Sequence, residues 1–379
     1  MGSPGPTAVG VGGRPGSSPA APWLAAGMSL LFSPLTLRGV TVPNRAWVSP
    51  MCQYSSEKGH PTDWHLVHLG SLARGGAGLV MQEATAVVPE GRISPQDAGI
   101  WNDSQAVDYE RITRFVKEQG SVPAIQLAHA GRKASTYAPW RGRGSVPAGE
   151  GGWKTVAPSE NAYNGFDVPA ELALDDIPAL VQAWADAARR AVSAGFEVLE
   201  VHAAHGYLLH QFLSPLSNLR TDSYGGDLAG RSRLLIEIVD AVRATIPDRT
   251  PLLVRVSATD WVPDGLDVDE VAQVATTLKD HGVDLVDVSS GGNHPDQKIT
   301  VGPGYQVPFA AKVKQVSGLP TAAVGLITEP KQAEQVLTEG SADAVLLARV
   351  LLREPSWPQR AAAELGDDLP WPPQYVRGR

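Results

Sequence analysis

Short apolar runs alternate along most of the chain with longer segments in which apolar residues recur every three or four positions. Near-continuous apolar runs are typical of parallel strands that are buried on both faces. Eight such runs are predicted as strands, at residues 45–50, 78–82, 123–127, 197–201, 252–256, 283–288, 321–324 and 343–347. The periodic segments are predicted as helices, at residues 63–74, 104–119, 176–194, 231–245, 267–281, 305–316 and 330–338. This alternation predicts a (β/α)8 TIM barrel, a fold of the α/β class.

Residues at the predicted helix ends support this assignment. Asp63, Ser104 and Asp267 are predicted N-caps, because short polar side chains can accept hydrogen bonds from the free amides of a first helical turn. Glycines follow five of the helices, at positions 75, 120, 195, 282 and 340. A doubly wound parallel sheet is the alternative fold. That fold favours a G-x-G-x-x-G turn after the first strand, where this chain has Ser-Pro-Met-Cys at 49–52.

Two segments do not follow the alternation. Residues 1–27 are mostly Gly, Pro, Ala and Ser, a composition that buries too little apolar surface to fold, so a disordered leader is predicted before a single domain at 28–379. Residues 134–174, inserted after the third strand, are rich in Gly and Pro and contain Trp140, Trp153 and Tyr163. In a barrel this connection lies on the active-site face, so a lid is predicted there, with a disordered loop as the alternative.

Composition narrows the possible partners. The 379 residues carry a net charge of −8, which argues against a nucleic-acid partner. The single cysteine, Cys52, excludes a disulfide framework, a four-cysteine zinc site and an iron–sulfur cluster held by this chain. No apolar run approaches the roughly 18–20 residues of a membrane span. We therefore expect a soluble cytoplasmic protein that binds neither nucleic acid nor membrane.

Side chains capable of chemistry concentrate where the predicted strands end. In chain order they are Cys52 and Tyr54, Glu83, Gln126 and His129, His202, His205 and Tyr207, Arg255, and Arg349. In a (β/α)8 barrel the carboxyl ends of the strands surround one pocket, so these residues are expected to meet there.

His202, His205 and Tyr207 form the most informative group. Two imidazole donors beside a phenol could stabilise a substrate oxygen and deliver a proton. A pair of structural histidines is one alternative. A zinc site is another, and it would need His129 or Glu200 as a third ligand.

Three further positions suggest an anionic or electron-rich ligand. Arg255 interrupts an otherwise apolar strand, where a buried cation needs an anion, an electron-rich ring or a structural ion pair. Gly325 and Arg349 follow the seventh and eighth strands, the connections that commonly hold phosphate in this fold. Cys52 could be a nucleophile, but a buried, inert thiol is the default interpretation.

Several motifs together resemble the old yellow enzyme family of FMN-dependent ene-reductases, most closely its thermophilic-like bacterial subclass. They are Ser-Pro-Met-Cys-Gln-Tyr at 49–54, Gln-Leu-Ala-His-Ala-Gly-Arg-Lys at 126–133, His-Ala-Ala-His-Gly-Tyr at 202–207, Arg-Thr-Asp-Ser-Tyr-Gly-Gly at 220–226 and Gln-Tyr-Val-Arg at 374–377. The match runs from about Leu31 to the C-terminus, in the family's order and spacing.

The resemblance implies a bound FMN, with NADPH or NADH as the hydride donor. The residues that would contact the FMN are Ser49, Pro50, Met51, Cys52, Ala84, Gln126, Arg255, Gly325, Ala348 and Arg349. Within this set Cys52 would tune the redox potential, Arg255 would favour the anionic reduced flavin, and Ala348 with Arg349 would hold the phosphate.

The resemblance also implies the reaction. His202 and His205 would bind the carbonyl oxygen of an activated alkene (an enone, an enal, a maleimide or a nitro compound), and Tyr207 would protonate its α-carbon after hydride reaches the β-carbon. Tyr54 would line the pocket, and Arg377 would reach it from a neighbouring subunit of a homodimer or homotetramer. No metal is implied. The alternative function is an FMN-binding redox sensor or store, which would leave His202, His205 and Tyr207 without a role.

Overall fold

Eight parallel strands close into a barrel in the computed structural model, which describes residues 1–2 and 28–378. Four further strands, β1, β2, β6 and β7, form two small sheets outside the barrel. In chain order the described strands are β1 (Leu35–Leu37), β2 (Val40–Val42), β3 (Ala46–Val48), β4 (Leu79–Ala86), β5 (Val122–Ala128), β6 (Val156–Ala157), β7 (Ala170–Glu171), β8 (Val198–Ala203), β9 (Leu252–Ser257), β10 (Leu285–Ser289), β11 (Thr321–Ala323) and β12 (Ala344–Leu347). The barrel order is β3-β4-β5-β8-β9-β10-β11-β12, and β12 pairs with β3. The predicted fold is confirmed, and the doubly wound alternative is excluded.

Helices connect the strands and cover the outside of the barrel. They are α1 (Asp63–Arg74), α2 (Asp103–Glu118), α3 (Ile177–Ser193), α4 (Leu208–Leu213), α5 (Leu228–Thr245), α6 (Val268–Asp280), α7 (Val307–Ser317), α8 (Pro330–Thr338), α9 (Arg349–Arg353) and α10 (Trp357–Leu365). In the described part of the chain, none of these helices is long and apolar enough to cross a membrane.

The alternation of side chains along each strand separates two apolar clusters. On β9, Leu253 packs with residues inside the barrel, whereas Leu252 and Val254 pack beneath the surrounding helices. The hairpin β1–β2 closes the amino-terminal end, where Leu37 and Val42 join the interior cluster. The period of two therefore directs Arg255, two residues after Leu253, into the barrel at its carboxyl-terminal end.

Two of the three predicted N-caps are wrong. Asp63 and Ser104 lie inside the first turns of α1 and α2, and the caps are Thr62 and Asn102, whose backbones are extended. In α2 the Asn102 carboxamide accepts the Gln105 amide at 2.9 Å, which satisfies a free donor one turn into the helix. The third prediction, Asp267, is confirmed, since its carboxylate accepts two amides at the start of α6.

The insertion at 134–174 carries structure of its own. Its strands β6 and β7 form a two-stranded parallel sheet, and Trp140 packs edge-on against Tyr54 with ring centroids 5.5 Å apart. The segment therefore lies against the carboxyl-terminal face of the barrel.

The predicted disordered leader falls outside the described residues.

Candidate active site

His202, His205 and Tyr207 meet at the end of β8. The ring of His202 lies edge-on to both others, with centroids 5.3 Å from His205 and 5.1 Å from Tyr207. The turn that carries them is tight, because His205 has φ +58° and Gly206 has φ +72°. A Cβ on Gly206 would lie 2.2 Å from the carbonyl oxygen of Gly292, so only glycine lets this turn pack against the loop after β10.

Both imidazoles are neutral at neutral pH. Burial, followed by the charges of nearby Arg255 and Lys133, holds the pKa of His202 and of His205 well below the ordinary histidine value. The Ala204 amide donates to Nδ1 of His202 at 3.3 Å, which leaves the proton on Nε2. Nε2 of His205 lies 2.7 Å from the hydroxyl of Ser289. His202 therefore presents a neutral N–H donor whose tautomer is set by the backbone, and the His205 ring is held by the Ser289 hydroxyl.

Tyr207 is a protonated phenol. Burial raises its pKa well above the ordinary tyrosine value, and the nearby Cys52 and Tyr54 raise it further. A weak acid in an apolar site keeps its proton until a strongly basic atom forms beside it.

Lys133 ties the catalytic turn in place, a role that the sequence analysis did not assign. Its ammonium donates to the carbonyls of His205 at 2.7 Å and Gly292 at 2.9 Å, so it links the loops after β8 and β10. It also lies 5.0 Å from the centre of the Tyr207 ring and 4.7 Å from that of Tyr163 in the insertion. Burial lowers its pKa to about 7. The available signal was a lysine in the loop that follows a barrel strand, five residues after β5 ends at Ala128.

An apolar wall lies beside Tyr207. Ala84 packs with Ala128 and other small residues, and Cys52, Tyr54 and Tyr207 pack against them. A register shift in β4 between Gln82 and Thr85 brings Ala84 to this wall. Burial raises the pKa of the Cys52 thiol well above its ordinary value, and Asp97 and Glu83 add to the effect, so this cysteine is not activated as a nucleophile.

A buried layer of polar side chains lies within the barrel, below the wall. Arg255 Nε lies 2.9 Å from Asp287 Oδ2, and Arg255 Nη2 donates to the Ser49 hydroxyl at 3.2 Å. The Gln126 amide donates to Glu200 Oε1 at 2.8 Å. Nδ1 of His129 accepts the Gly131 amide at 3.0 Å. Among the described residues no three His, Cys, Asp or Glu side chains are placed to hold a metal ion, so neither Glu200 nor His129 completes a zinc site with His202 and His205.

A cavity of about 250 Å³ opens at the ends of β11 and β12. Gly325, Ala348, Arg349 and Arg353 line it, and Ser289 connects it to His205. Gly325 has φ +122°, and a Cβ there would lie 2.8 Å from Gln306, so a side chain would fill the loop. Ala348 has φ −117°, so this position does not need the left-handed backbone that would favour glycine.

These features fit a flavin mononucleotide. Two arginines and a glycine loop suit its phosphate, and the apolar wall with Met51 and Pro50 nearby suits a flat ring. Gln126 and Arg255 supply polar groups at the floor, and Ser49 reaches the same layer. Cys52 and Ala84 at the wall, Ser49, Gln126 and Arg255 in the polar layer, and Gly325, Ala348 and Arg349 at the cavity thus lie at the carboxyl-terminal ends of the strands.

Arg377 does not join this site within its own chain. It lies in a terminal 3₁₀ segment, Pro373–Gly378, and the neighbouring Tyr375 stacks on Arg74 of α1, with its hydroxyl 2.7 Å from the guanidinium. In the described part of the chain, no hydrogen bond, ion pair or ring contact connects Arg377 to the His202–Tyr207 turn.

A second support for the turn was also missed. The Gly206 amide donates to His210 Nδ1 at 2.9 Å, and His210 Nε2 lies 2.9 Å from the carboxylate of Asp260. Asp260 also accepts the Ser214 hydroxyl at 2.6 Å and the Leu266 amide at 2.9 Å. His210 and Asp260 are wholly buried, so this chain of contacts fixes the loop geometry from behind.

Comparisons with known proteins identify the family that this chain resembles. A family model described as NADH:flavin oxidoreductase / NADH oxidase matches residues 30–368. An NADPH dehydrogenase from Geobacillus thermodenitrificans is 48% identical over 353 residues, which cover 92% of this chain and 98% of that protein. The structure of morphinone reductase in complex with tetrahydroNAD has a TM-score of 0.74 and 27% identity, over 91% of this chain and 93% of that chain. An old yellow enzyme homologue from Zymomonas mobilis has a TM-score of 0.73 and 27% identity, over 92% of this chain and 95% of that chain.

Proposed function

The chain belongs to the NADH:flavin oxidoreductase / NADH oxidase family, the family of the old yellow enzymes, and we propose that it reduces the carbon–carbon double bond of activated alkenes. It is an oxidoreductase that uses FMN and a nicotinamide cofactor. The observation that supports the alkene substrate is the grouping of two neutral imidazoles with a buried, protonated phenol beside an apolar wall. A redox sensor or store would make no use of that grouping.

FMN, when bound, supplies hydride transfer from N5 of its ring. The chain's own residues would do the rest. His202 and His205 donate hydrogen bonds to the carbonyl oxygen of an enone, enal or maleimide, or to a nitro group, and so stabilise the negative charge that develops there. Tyr207 donates its hydroxyl proton to the α-carbon, the atom that becomes basic as hydride arrives at the β-carbon.

The surrounding residues would bind the flavin and exclude water. Arg349 and Gly325 would bind the phosphate, with Ala348 beside them. Gln126 and Arg255 would face the polar edge of the ring, and Ser49, Pro50, Met51, Cys52 and Ala84 would line its other contacts. Tyr54, Trp140 and Tyr163 would cover the substrate side, consistent with a lid at 134–174.

The two histidines give a direct test. His202→Ala or His205→Ala should weaken binding of p-hydroxybenzaldehyde, a phenol that presents an oxygen to the imidazoles, because each change removes one buried donor. A neutral hydrogen bond contributes about 0.5–1.5 kcal/mol, so the Kd should rise about 2- to 13-fold. The titration follows the flavin absorbance change, and bound FMN should be retained in both variants.

His281→Ala is the matched control, since His281 is a half-exposed histidine paired with Asp240 at the far side of α6. It should leave the Kd unchanged. Loss of FMN from His202→Ala or His205→Ala, together with an unchanged Kd in the holoprotein that remains, would contradict the assignment of these residues to the substrate oxygen.

We also propose that a second copy of the chain completes the site, with Arg377 of one copy reaching the pocket of the other. A groove beside Gln53 is bordered by Trp64, Val67 and Leu352, which are 55%, 68% and 51% exposed. Exposed apolar side chains grouped in this way are typical of protein–protein contacts. The C-terminal segment lies against Arg74 on the same helix, so the tail is next to this surface.

Deleting residues 376–379 should raise the KM for cyclohexenone while leaving the spectrum of bound FMN unchanged, because the tail would contact substrate and not the flavin. Arg377→Lys keeps the positive charge but lacks the planar guanidinium. It should therefore show most of the rise in KM that the deletion causes. Full activity and affinity in the truncated protein, or in a form shown by sedimentation to be monomeric, would overturn the shared site.

The cytoplasmic location expected from the sequence stays a prediction.

A further inference from the structure

We propose that Glu200 and Asp287 form a proton-uptake site inside the barrel, in which Glu200, where it is ionised in the oxidised protein, takes up one proton from water when bound FMN is reduced. The inference rests on FMN binding, which family membership establishes, and not on the proposed alkene substrate. It concerns two buried carboxyls to which the mechanism above gives no role.

The two acids flank one cation. β9 lies between β8 and β10, and Arg255 on β9 is in register with Asp287 on β10 and with His202 on β8. Glu200 lies two residues before His202, so its side chain points into the barrel on the same face of β8. All three side chains are buried: Glu200 and Asp287 have no exposed surface, and Arg255 is 5% exposed. Arg255 Nε is 2.9 Å from Asp287 Oδ2, so its charge is already balanced by that carboxylate.

Glu200 is left without a counterion of its own. Its Oε1 accepts the Gln126 amide at 2.8 Å, and among the described residues its Oε2 has no hydrogen-bond partner. Both oxygens of Asp287 also lack a hydrogen bond, but that carboxylate has the Arg255 guanidinium beside it. The groups that act on its charge are Asp287, which repels it, Arg255, which attracts it, and the neutral Gln126. Burial is the largest influence and Asp287 the next, and together they raise the pKa of Glu200 well above the ordinary carboxyl range.

The buried layer has two carboxyls, Glu200 and Asp287, and only one positive charge, that of Arg255. With both carboxylates ionised, the layer would carry a net negative charge in a site of low dielectric, which is costly. With Glu200 protonated, the layer is neutral. Where Glu200 is ionised, its protonation can therefore compensate for a further negative charge on a group bound next to this layer.

Reduction of the flavin adds such a charge. A hydride from NAD(P)H brings two electrons and one proton and leaves one negative charge on the ring. Arg255 balances part of it, but Arg255 is shared with Asp287. Above the pKa of Glu200 in the oxidised protein, one proton from water therefore adds to the Glu200 carboxylate as the two electrons and the hydride proton arrive. The sum is two electrons and two protons, whereas below that pKa it is two electrons and one proton.

The midpoint potential of the holoprotein measures this difference without any alkene present. For a two-electron couple, each proton taken up lowers the potential by about 30 mV per pH unit, because each tenfold change in concentration is 29.6 mV. Wild type should therefore steepen from about 30 to about 60 mV per pH unit as the pH rises through the pKa of Glu200. Glu200→Gln, which keeps the shape and cannot titrate, should stay near 30 mV per pH unit throughout.

Two further variants identify the group. Asp287→Asn should move the steepening to lower pH, because the repulsion is lost while the attraction of Arg255 remains. Lys133→Met and Asp97→Asn should keep it, although burial brings the pKa of each of these groups to about 7. Titration of the flavin ring itself would steepen the profile towards acid pH, the opposite direction.

A wild-type profile without alkaline steepening, or an equal steepening in Glu200→Gln, would overturn the proposal. If Glu200→Gln does not retain FMN, the decision rests on Asp287→Asn, where an unshifted profile overturns it. If neither the wild type nor any variant binds FMN, the cofactor assignment based on the family fails instead. Failure of the cofactor assignment and failure of the Glu200 proposal are therefore distinguishable.

Discussion

Tyr207→Phe should slow the oxidation of reduced enzyme by cyclohexenone by about 10²- to 10⁴-fold, the range expected for loss of a general acid. The variant keeps the ring, and therefore its packing against His202 and the apolar wall, but removes the only atom that can give up a proton. Reduction of the flavin by NADPH should be unaffected, because that half-reaction needs no proton from the phenol. Rapid mixing under anaerobic conditions measures the two halves separately.

Tyr224→Phe provides the matched control, since that hydroxyl bonds Glu237 on α5 and lies away from the site. The double variant Tyr207→Phe/Tyr54→Phe accounts for a proton supplied by the neighbouring phenol. Unchanged oxidation rates in the single and the double variant would remove Tyr207 from the mechanism.

Asp260→Ala should destabilise the protein by at least about 3 kcal/mol, because three buried donors lose their acceptor and each unsatisfied donor costs about 1–3 kcal/mol. Its carboxylate holds His210, the Ser214 hydroxyl and the Leu266 amide, and none of these groups has access to water to replace it. The comparison is Asp248→Ala, which breaks an ion pair with Arg38 at a fully exposed carboxylate and should cost at most about 1 kcal/mol. Urea unfolding of both variants measures the contrast.

The difference between wild type and Asp260→Ala should depend on pH. Burial acts to raise the pKa of Asp260, but His210, Ser214 and the Leu266 amide outweigh it, so the folded-state pKa lies below the ordinary value. A depressed carboxyl pKa stabilises the folded state above the unfolded-state pKa, and this stability is lost as the pH falls through the folded-state pKa. The difference should be full near neutral pH and shrink in acid. A constant difference down to strongly acid pH would contradict the assigned charge state.

The barrel was predictable because its strands are buried on both faces and its helices are periodic. α1 and α8 have the predicted bounds, and each barrel strand overlaps its prediction. The errors are local. Thr62 and Asn102 cap helices that Asp63 and Ser104 were predicted to start, because several polar residues stand together there and only the backbone conformation decides among them. The hairpin β1–β2 was missed because three-residue strands show too little alternation.

The candidate site was predictable as far as strand ends reveal it. Gln126, His202, Tyr207 and Arg255 occupy the face expected of them. Lys133, Ser289 and Asp260 were missed because their roles depend on which distant loops meet: Lys133 bonds two carbonyls from different loops, and Asp260 acts through His210. Hydrogen bonds between residues 70 to 160 positions apart leave no periodic pattern in a sequence.

The fate of the two hydrogens added to the alkene tests the central claim most directly. We expect NADPH deuterated at the transferable C4 position, reacting with 2-methylcyclohexenone in ordinary water, to give 2-methylcyclohexanone labelled only at the β-carbon. The unlabelled coenzyme in heavy water should place deuterium at the α-carbon, by way of the exchangeable Tyr207 hydroxyl. Oxidation of NADPH without any deuterium at the β-carbon, under anaerobic conditions and with FMN bound, would contradict hydride delivery to the double bond.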